Sequence, residues 1–424
     1  MRRRVGFLQR VDQPFRGVAP LCVCVALLAA ACGAPASSSR LTASPSAVLP
    51  IPSSTTQPSA VPPSLAPSPT AAPSAAAVAR LGPLSTGSLS VTRTAALQAV
   101  LEHMVAAGAP DAIAAVITED GTWSGAAGTA GPKGRKATAE DEFAVASITK
   151  TLTAALVLRL VDQGRMRLDE PLASYMGKLK VDTNGATVRQ ALEMRAGLAD
   201  FPQPAAADHI RRDSGHVWTA EEMVAEMDPP IAAAGASYLY SSPGYDLLAR
   251  AAEHVTGLSY ASALRDQLLD RWHLDRIIGQ GPEHATPKPW ALPIDEHLVP
   301  WTPADMGAGG SISCISSATY APGAGSVASD APSLAAWVWH LFSGDILSTA
   351  SLGLMAPQGT EFAYGLERAP YGGQSVGASG GKTGYGAQFT MFPEAHAVIV
   401  IFVNDPEFVV EPTVTALLRA ATGS

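Results

Sequence analysis

The 424-residue chain has few cysteines, few lysines and, beyond its first 31 residues, no apolar run long enough to span a membrane. Three of its four cysteines lie within residues 22–32. The rest of the chain holds only Cys314, so we expect no internal disulfide. The nine histidines show no H-E-x-x-H pattern or paired spacing, and no Cys/His cluster occurs. We therefore expect no metal and no cofactor.

Basic residues are also scarce relative to acidic ones. The chain has 29 Lys and Arg against 37 Asp and Glu, a formal charge of −8. Residues 1–31 carry five Arg and one Asp, so their removal would take the charge to −12. An acidic body without a basic patch argues against nucleic acid as a partner, because phosphate neutralisation requires clustered Lys and Arg.

The N-terminus has the pattern of a secretory signal. Five arginines in the first 16 residues precede an apolar run over 18–31, which is short for a membrane span. The run "LLAAAC", ending at Cys32, resembles the lipobox of bacterial lipoproteins, although Ala29 stands where that pattern prefers leucine. We expect a signal peptide over 1–31 and a lipid such as palmitate on Cys32, anchoring the protein to the membrane outside the cytoplasm. The alternative is an ordinary signal peptide that is cleaved nearby.

Residues 32–79 predict a disordered tether. After Cys32 they are almost entirely Ala, Ser, Pro and Thr, with too few large apolar side chains to offset the entropy of ordering. Residues 80–424 are long enough to bury a large core as one folded domain. Within them, about 170–320 is expected to form a mostly helical lobe, for which we cite only the paucity of strand patterns.

The two ends of the folded part predict strands. A helix is expected over 93–107, followed by strands over 112–118 and 123–127 joined by the turn "EDG". Near the C-terminus, "YGAQFTMF" and "VIVIFV" form a second hairpin, and "EPTVTALLRAA" a final helix. Strands at both ends with helical sequence between them predict an α/β (α+β) fold whose antiparallel sheet is completed by both chain ends.

The segment 147–164, "SITKTLTAALVLRLVDQG", predicts a buried central helix. It is apolar on nearly every side, and Gly164 is a typical helix stop. Ser147 and Lys150 at its start are three residues apart and so share one face. Burial disfavours the charged ammonium, which lets the lysine accept the serine proton and makes the pair a candidate nucleophile and base. Alternatively, Ser147 only caps the helix and Lys150 extends its ammonium to solvent.

The wider segment "FAVASITKTLTAALVLRLVDQGRMRLDEPLASYM" resembles the nucleophile region of the serine β-lactamase and DD-peptidase superfamily, in the branch of class C β-lactamases, DD-carboxypeptidases and related esterases. The likeness recurs, in order, at "ALEMRAGLADF", "YSSPGYDLLARAAEHVTGLSY" and "GAGSVASDAPSLAAWVWHLFSG". It covers nearly all of residues 93–424. It implies the β-lactamase/transpeptidase-like fold, with Ser147 as nucleophile and Lys150 as proton acceptor.

The resemblance also implies a second motif, Y-x-N, in which the tyrosine shares proton transfer and the asparagine binds the substrate amide. This chain has Tyr240, Ser241 and Ser242 there, so the tyrosine is kept and the asparagine is replaced. Ser242 and Pro243 also read as the N-cap and first residue of a helix over 244–256. The alternative is that Tyr240 is only a packed side chain beside that cap.

The stretch 377–389, "GASGGKTGYGAQF", matches three catalytic patterns: G-x-S-x-G, S-x-x-K and K-T-G. A phosphate-binding G-x-x-x-x-G-K-T fails because Val376 replaces its first glycine. The G-x-S-x-G pattern requires a turn from a strand into a helix, whereas more strand follows Ser379. These matches therefore do not place a nucleophile here.

In the family, the last motif is Lys or His, a small residue and Gly, followed by Gly and an aromatic. Gly384 and Tyr385 fit the latter pair, so counting back places the motif at Ala378, Ser379 and Gly380, with "GKTG" as the turn. The literal reading with Lys382 would leave one strand too few. In the preferred register a methyl group replaces the cation, and the resemblance implies that Gly381 gives the second oxyanion N–H.

These observations predict a serine hydrolase that acts through an acyl-serine on a small-molecule or cell-wall-derived ester or amide. The replacements at Ser242 and Ala378 favour an esterase-like activity over a β-lactamase or DD-carboxypeptidase. The alternative is a catalytically degenerate, penicillin-binding-like lipoprotein that acts as a binding or scaffold module of the cell envelope.

Overall fold

The structure, a computed structural model, describes residues 80–130, 134–201, 209–210, 212–281, 314–357, 362–382 and 384–423. The predicted signal peptide, Cys32 and the tether lie outside the described residues, so their predictions stay untested. None of the helices within the described ranges is both long and apolar enough to cross a bilayer.

The described chain alternates helices and strands. The helices are α1 Val91–Ala106, α2 Thr149–Asp162, α3 Val188–Leu192, α4 Ala220–Ala225, α5 Ser242–Thr256, α6 Tyr260–Leu264, α7 Ile315–Tyr320, α8 Pro322–Gly325, α9 Ala331–Ser343, α10 Thr349–Met355 and α11 Glu411–Thr422. The strands are β1 Asp111–Thr118, β2 Gly121–Gly128, β3 Phe143–Ala144, β4 Ile278–Gly279, β5 Val327–Ser329, β6 Glu367–Arg368, β7 Val376–Lys382, β8 Tyr385–Phe392 and β9 Ala397–Val403.

The main sheet is formed by both ends of the folded part, as predicted. Its six strands follow the order β2-β1-β9-β8-β7-β6, and all neighbours are antiparallel. The N-terminal strand β1 pairs with the C-terminal strand β9, and Val116 faces Ile399 in their register. A second, three-stranded sheet has the order β3-β5-β4. The predicted mixed fold with an antiparallel sheet is therefore confirmed.

The sheet is covered on both faces because its central strands are apolar on both faces. All eight residues of β1 and all seven of β9 are buried. One face packs against α1 and α11 through a cluster that includes Leu97, Ile401 and Leu417. The other face joins the larger core, which includes Trp337 of α9 and Leu156 of α2. The result is a layered arrangement with α2 on the inner side of the sheet.

The predicted central helix is buried as expected. In α2, eleven residues from Thr149 to Leu160 are buried, and it ends before Gly164, whose φ of 71° favours glycine. Its buried threonines bond to neighbouring elements. Thr151 Oγ1 donates to the Gly365 carbonyl at 2.6 Å, and Thr149 Oγ1 accepts from the Val327 N–H at 3.0 Å. These bonds hold the start of the helix against two other elements.

Candidate active site

Ser147 lies in a short 3₁₀ turn, Ala146–Ile148, that runs directly into α2. The residue before it, Ala146, has φ of 46°, a left-handed conformation that L-residues rarely adopt. Such strain is typical of functional sites, where the surrounding packing holds it. Ser147 itself is half-buried, at the N-terminal end of a helix whose dipole favours negative charge. The serine is therefore both accessible and electrostatically suited to a developing oxyanion.

Lys150 lies one helical turn further and points back to the serine. Its side chain is 0 % exposed, and its Nζ donates to Ser147 Oγ at 3.1 Å and to the Ala324 carbonyl at 3.1 Å. The alternative in which this ammonium reaches solvent is wrong for this conformation. A buried ammonium is costly unless its hydrogen-bond partners compensate, so its place beside a serine hydroxyl is a marked feature of the fold.

Tyr240 approaches Ser147 from the opposite side. Its hydroxyl donates to Ser147 Oγ at 2.9 Å, and the Lys150 Nζ lies 4.9 Å from the centre of its ring. The ring also meets Phe362 edge-on, with centroids 5.8 Å apart. The three predicted catalytic side chains are thus brought into one hydrogen-bonded group, although 93 positions separate Tyr240 from the serine.

The capping role predicted for Ser242 belongs to its neighbour. Ser242 is the first residue of α5, and Ser241 is the N-cap, with its hydroxyl accepting from the Gly244 N–H at 3.2 Å. Ser242 instead donates its backbone N–H to Asp200 Oδ1 at 2.8 Å. The prediction was wrong by one residue because two adjacent serines precede Pro243, and the local sequence does not distinguish them.

Strand β7 passes directly beside the Ser147 turn at Gly380. A Cβ at this position would lie 2.2 Å from the Val145 carbonyl oxygen and 2.8 Å from the Ser147 backbone N, so only glycine fits without movement. Because side chains alternate along a strand, Ala378 points to the same face, and it is 2 % exposed. The methyl group predicted to replace a cation therefore lies on the Ser147 side of β7. Whether the Gly381 N–H contributes to an oxyanion hole stays a prediction.

Ser379 and Lys382 lie on opposite faces of β7. Ser379 Oγ donates to Glu367 Oε1 at 3.3 Å on the face away from Ser147, and burial raises the pKa of that Glu367 carboxyl. The strand continues to Lys382, which pairs with Tyr385, so the predicted "GKTG" turn is too long: both Gly381 and Lys382 belong to the strand. The ladder extends further because neither residue at those positions has a side chain that prevents pairing.

Lys382 was left without a role by the sequence, and the structure places it beside the site. On the same face of β7 as Gly380, its Nζ donates to the Ser317 carbonyl at 2.9 Å and to the Gly325 carbonyl at 3.2 Å. Burial lowers its pKa to about 8, partly opposed by the thiol of Cys314 and the carboxyl of Asp246. Gly325 directly follows Ala324, the residue whose carbonyl binds Lys150.

Sequence reasoning missed a second group, the buried Asp246 on α5. It is 0 % exposed, and burial raises its pKa to about 7. The signal was present as a single acidic residue within the apolar run "YDLLARAA". Over the residues that the structure describes, no three His, Cys, Asp or Glu side chains come together as a metal site would require.

Comparison with known proteins places this geometry in a family. Residues 97–424 match the family model described as Beta-lactamase. The carboxypeptidase/endopeptidase AmpH of Escherichia coli K12 is 28 % identical over 154 residues, covering 34 % of this chain and 37 % of AmpH. Penicillin-binding protein 4 of Amycolatopsis lactamdurans is 34 % identical over 138 residues, 31 % of this chain and 34 % of that protein. The matches thus span only about a third of these curated relatives.

Solved structures extend the likeness to the whole described fold. A D-stereospecific amidohydrolase from Streptomyces sp. superposes with a TM-score of 0.63 at 25 % identity, over 77 % of this chain and 98 % of the other. A D-amino acid amidase from Ochrobactrum anthropi SV3 superposes with a TM-score of 0.66 at 24 % identity, over 78 % and 98 %, which supports the fold. Since the family model covers most of the folded part, the chain belongs to the Beta-lactamase family, whose members are serine hydrolases.

Proposed function

We propose that this protein is an envelope-anchored serine hydrolase that works through an acyl-serine intermediate. The observation that carries this proposal is the convergence of Lys150 Nζ and Tyr240 OH on Ser147 Oγ, at 3.1 and 2.9 Å. Both donors lie within the distance at which a positioned group transfers a proton to or from a nucleophile. No histidine is needed for this chemistry.

The proposed reaction has two half-steps. Ser147 Oγ attacks the acyl carbonyl while its proton passes to the Lys150–Tyr240 pair, and the same pair returns the proton to the departing alcohol or amine. Water then attacks the acyl-serine, gives up a proton to the pair, and releases the acid and the free Ser147 hydroxyl. We assign the oxyanion to the backbone N–H groups of Ser147 and Gly381.

The substrate we favour is an ester or amide without an anionic group at the Ala378 position. A buried methyl there supplies no charge to hold a carboxylate, and Ser242 lacks the second donor of an amide side chain. These two residues favour esterase-like hydrolysis over β-lactamase or DD-carboxypeptidase activity. The likeness to an amidohydrolase keeps simple amides within the proposed range.

The anchor is a separate part of the proposal. The arginine-rich start, the apolar run over 18–31 and Cys32 support lipidation after export, and residues 32–79 would act as an extended tether. An acyl chain on Cys32 alone gives weak, reversible membrane binding, so more than one chain would be needed for stable anchoring. Cell-wall-derived acyl compounds would then lie within reach of the domain.

A degenerate binding module is the second candidate, and the replaced residues at 242 and 378 favour it. Labelling with a fluorophosphonate probe distinguishes the two: we expect wild type to be labelled and Ser147→Ala not to be. Equal labelling of both, or of neither, would sink the enzyme proposal. A p-nitrophenyl ester assayed beside a chromogenic cephalosporin then tests the substrate class, and faster turnover of the cephalosporin would overturn the esterase preference.

A further inference from the structure

The one-turn helix α8, Pro322–Gly325, lies directly behind Lys150. Three successive carbonyls of this helix accept hydrogen bonds from outside it. Gly323 O accepts from Thr153 Oγ1 at 2.6 Å, Ala324 O from Lys150 Nζ at 3.1 Å, and Gly325 O from Lys382 Nζ at 3.2 Å. The position of the Lys150 ammonium therefore depends on α8 as well as on Ser147.

The amide end of α8 is held by Asp246. This carboxyl is on α5, is 0 % exposed, and accepts the Gly323 N–H at 2.8 Å on Oδ1 and a further bond from the Ala324 backbone. The N-cap residue of α8, Ala321, supplies no side-chain cap of its own. A carboxylate satisfies the first amides of a helix and suits the positive end of its dipole. Asp246 therefore caps α8 from another helix.

The capping bond alone does not account for an aspartate at this position. An asparagine would offer the same acceptor to the Gly323 N–H without burying an ionisable group. Asp246 Oδ2 finds no hydrogen-bond partner among the residues that the structure describes. Leaving a buried carboxyl oxygen unsatisfied costs free energy, so the charge itself is the feature that an amide would not reproduce.

Several ionisable groups face Asp246 from the surrounding elements. They are Arg250 on its own helix, Lys150 on α2, Lys382 on β7, Tyr260 on α6 and Tyr320 on α7. Three of these five are cations, and two of the three bind consecutive carbonyls of α8. Asp246 is thus the acidic group at one end of α8 and the two lysine ammoniums are the cations at its other end.

We propose that Asp246 is a positioning residue for proton transfer between Ser147 and Lys150, acting through α8. It holds the Ala324 carbonyl that orients Lys150, and it supplies the buried negative charge that Lys150 and Lys382 share. This inference rests on the proposed serine hydrolase. It adds to that proposal a residue that does not touch the substrate and sets the pH range over which Lys150 accepts a proton.

Asp246→Asn tests the charge while keeping the acceptor for Gly323. The pH profile of kcat/KM for a p-nitrophenyl ester is the readout, since its acidic limb reports the protonation of the free enzyme. Loss of the negative charge makes the Lys150 ammonium easier to deprotonate, so we expect the acidic limb to move to lower pH by about one unit. We also expect kcat to fall about tenfold as the Ala324 carbonyl loses its fixed position.

Lys382→Met provides the opposite perturbation, because removing a nearby cation makes Lys150 easier to protonate. Its acidic limb should move to higher pH. Asp162→Asn is the matched control: Asp162 also caps a helix from another helix, accepting the Ser348 N–H at 2.8 Å, but from the far end of α2. It should leave the profile unchanged.

An acidic limb that stays in place in Asp246→Asn would overturn the inference, since a loss of stability alone does not move it. Should that variant fail to fold, Asp246→Ser, which keeps a smaller oxygen acceptor, is measured in the same way and decided by the same limb. Failure of the proposed function looks different, because the wild type would then show no Ser147-dependent fluorophosphonate labelling at all.

Discussion

The Tyr240 hydroxyl donates a 2.9 Å hydrogen bond to Ser147 Oγ across 93 positions of the chain. Its ring packs against Phe362, so the hydroxyl can be removed without disturbing the packing. We expect Tyr240→Phe to lower kcat by roughly 100-fold, the usual contribution of a positioned proton donor, with little change in melting temperature. Steady-state kinetics with a p-nitrophenyl ester measures this.

Tyr175→Phe serves as the control for that variant. The Tyr175 hydroxyl donates to Glu170 Oε2 at 2.5 Å, and it lies on a 3₁₀ turn that none of the site residues shares. Equal kcat values for wild type and Tyr240→Phe would show that Tyr240 takes no part in proton transfer.

Lys150→Met separates activity from stability. Methionine has nearly the length of lysine but no charge, so it fills the same buried volume and removes a desolvated ammonium. We expect fluorophosphonate labelling to slow by at least about 100-fold, while the free energy of unfolding stays equal or rises. Lys178→Met, at an exposed position, should change neither quantity. Normal labelling of Lys150→Met would exclude Lys150 as the proton acceptor.

Gly380→Ala tests the contact between β7 and the nucleophile turn. The added Cβ would lie 2.2 Å from the Val145 carbonyl and 2.8 Å from the Ser147 N, so the strand or the turn must move. We expect a loss of about 1–3 kcal/mol in the free energy of unfolding, measured by urea denaturation, together with slower labelling of Ser147. Gly87→Ala, where the nearest atom is 3.8 Å away, is the control. An unaffected Gly380→Ala protein would contradict the close approach.

Stability should fall as the pH rises, because of buried carboxyl groups. Burial raises the pKa of Asp111 from 3.8 to about 8, against the donors of Asn404 that favour ionisation. Below 3.8 both states hold the proton, and the contribution of this group to stability is fully present. Between 3.8 and 8 the unfolded chain releases the proton and the folded one keeps it, so the contribution is lost towards pH 8.

Asp111→Asn should therefore flatten part of the dependence of unfolding free energy on pH. Denaturant titrations at pH 5, 7 and 9 measure the slope, and Asp120→Asn, at an exposed side chain, is the control. Asp246, whose pKa is raised in the same direction, should keep some slope in the variant. The same slope in Asp111→Asn as in the wild type would show that this carboxyl is ionised when folded.

Cys32→Ala tests the anchor independently of the active site. Without the lipidated thiol, the protein should move from the membrane pellet to the soluble fraction and keep its fluorophosphonate labelling. Immunoblots of fractionated cells measure the distribution. Unchanged fractionation of the variant would contradict lipidation of Cys32.

Much of the fold could be predicted because its signals are local. The strand patterns near both termini correspond to β1, β2, β8 and β9, and the all-round apolar segment became α2. Errors occurred at element ends. The N-cap of α5 was placed one residue late, and the turn after β7 was predicted to begin before Lys382. Caps and turn lengths depend on one or two hydrogen bonds, which neighbouring sequence specifies weakly.

The candidate site divides in the same way. Ser147 and Lys150 were predicted as a pair from their spacing on one helix. Tyr240 was included through the resemblance to a family, since nothing in its own surroundings requires it to be near the serine. Asp246 and the carbonyl of Ala324 were not predicted, because a backbone carbonyl has no sequence signature and a lone buried acid has many possible partners.

The sequence by itself determined the sheet-forming segments, the buried helix and the serine–lysine face at its start, since hydrophobic periodicity and helical spacing act over a few residues. Only the tertiary structure decided that Lys150 meets the Ala324 carbonyl, 174 positions away, and that Gly380 abuts the Ser147 turn. Such contacts follow from how helices and sheet pack together, and packing depends on the shapes of all the buried side chains at once.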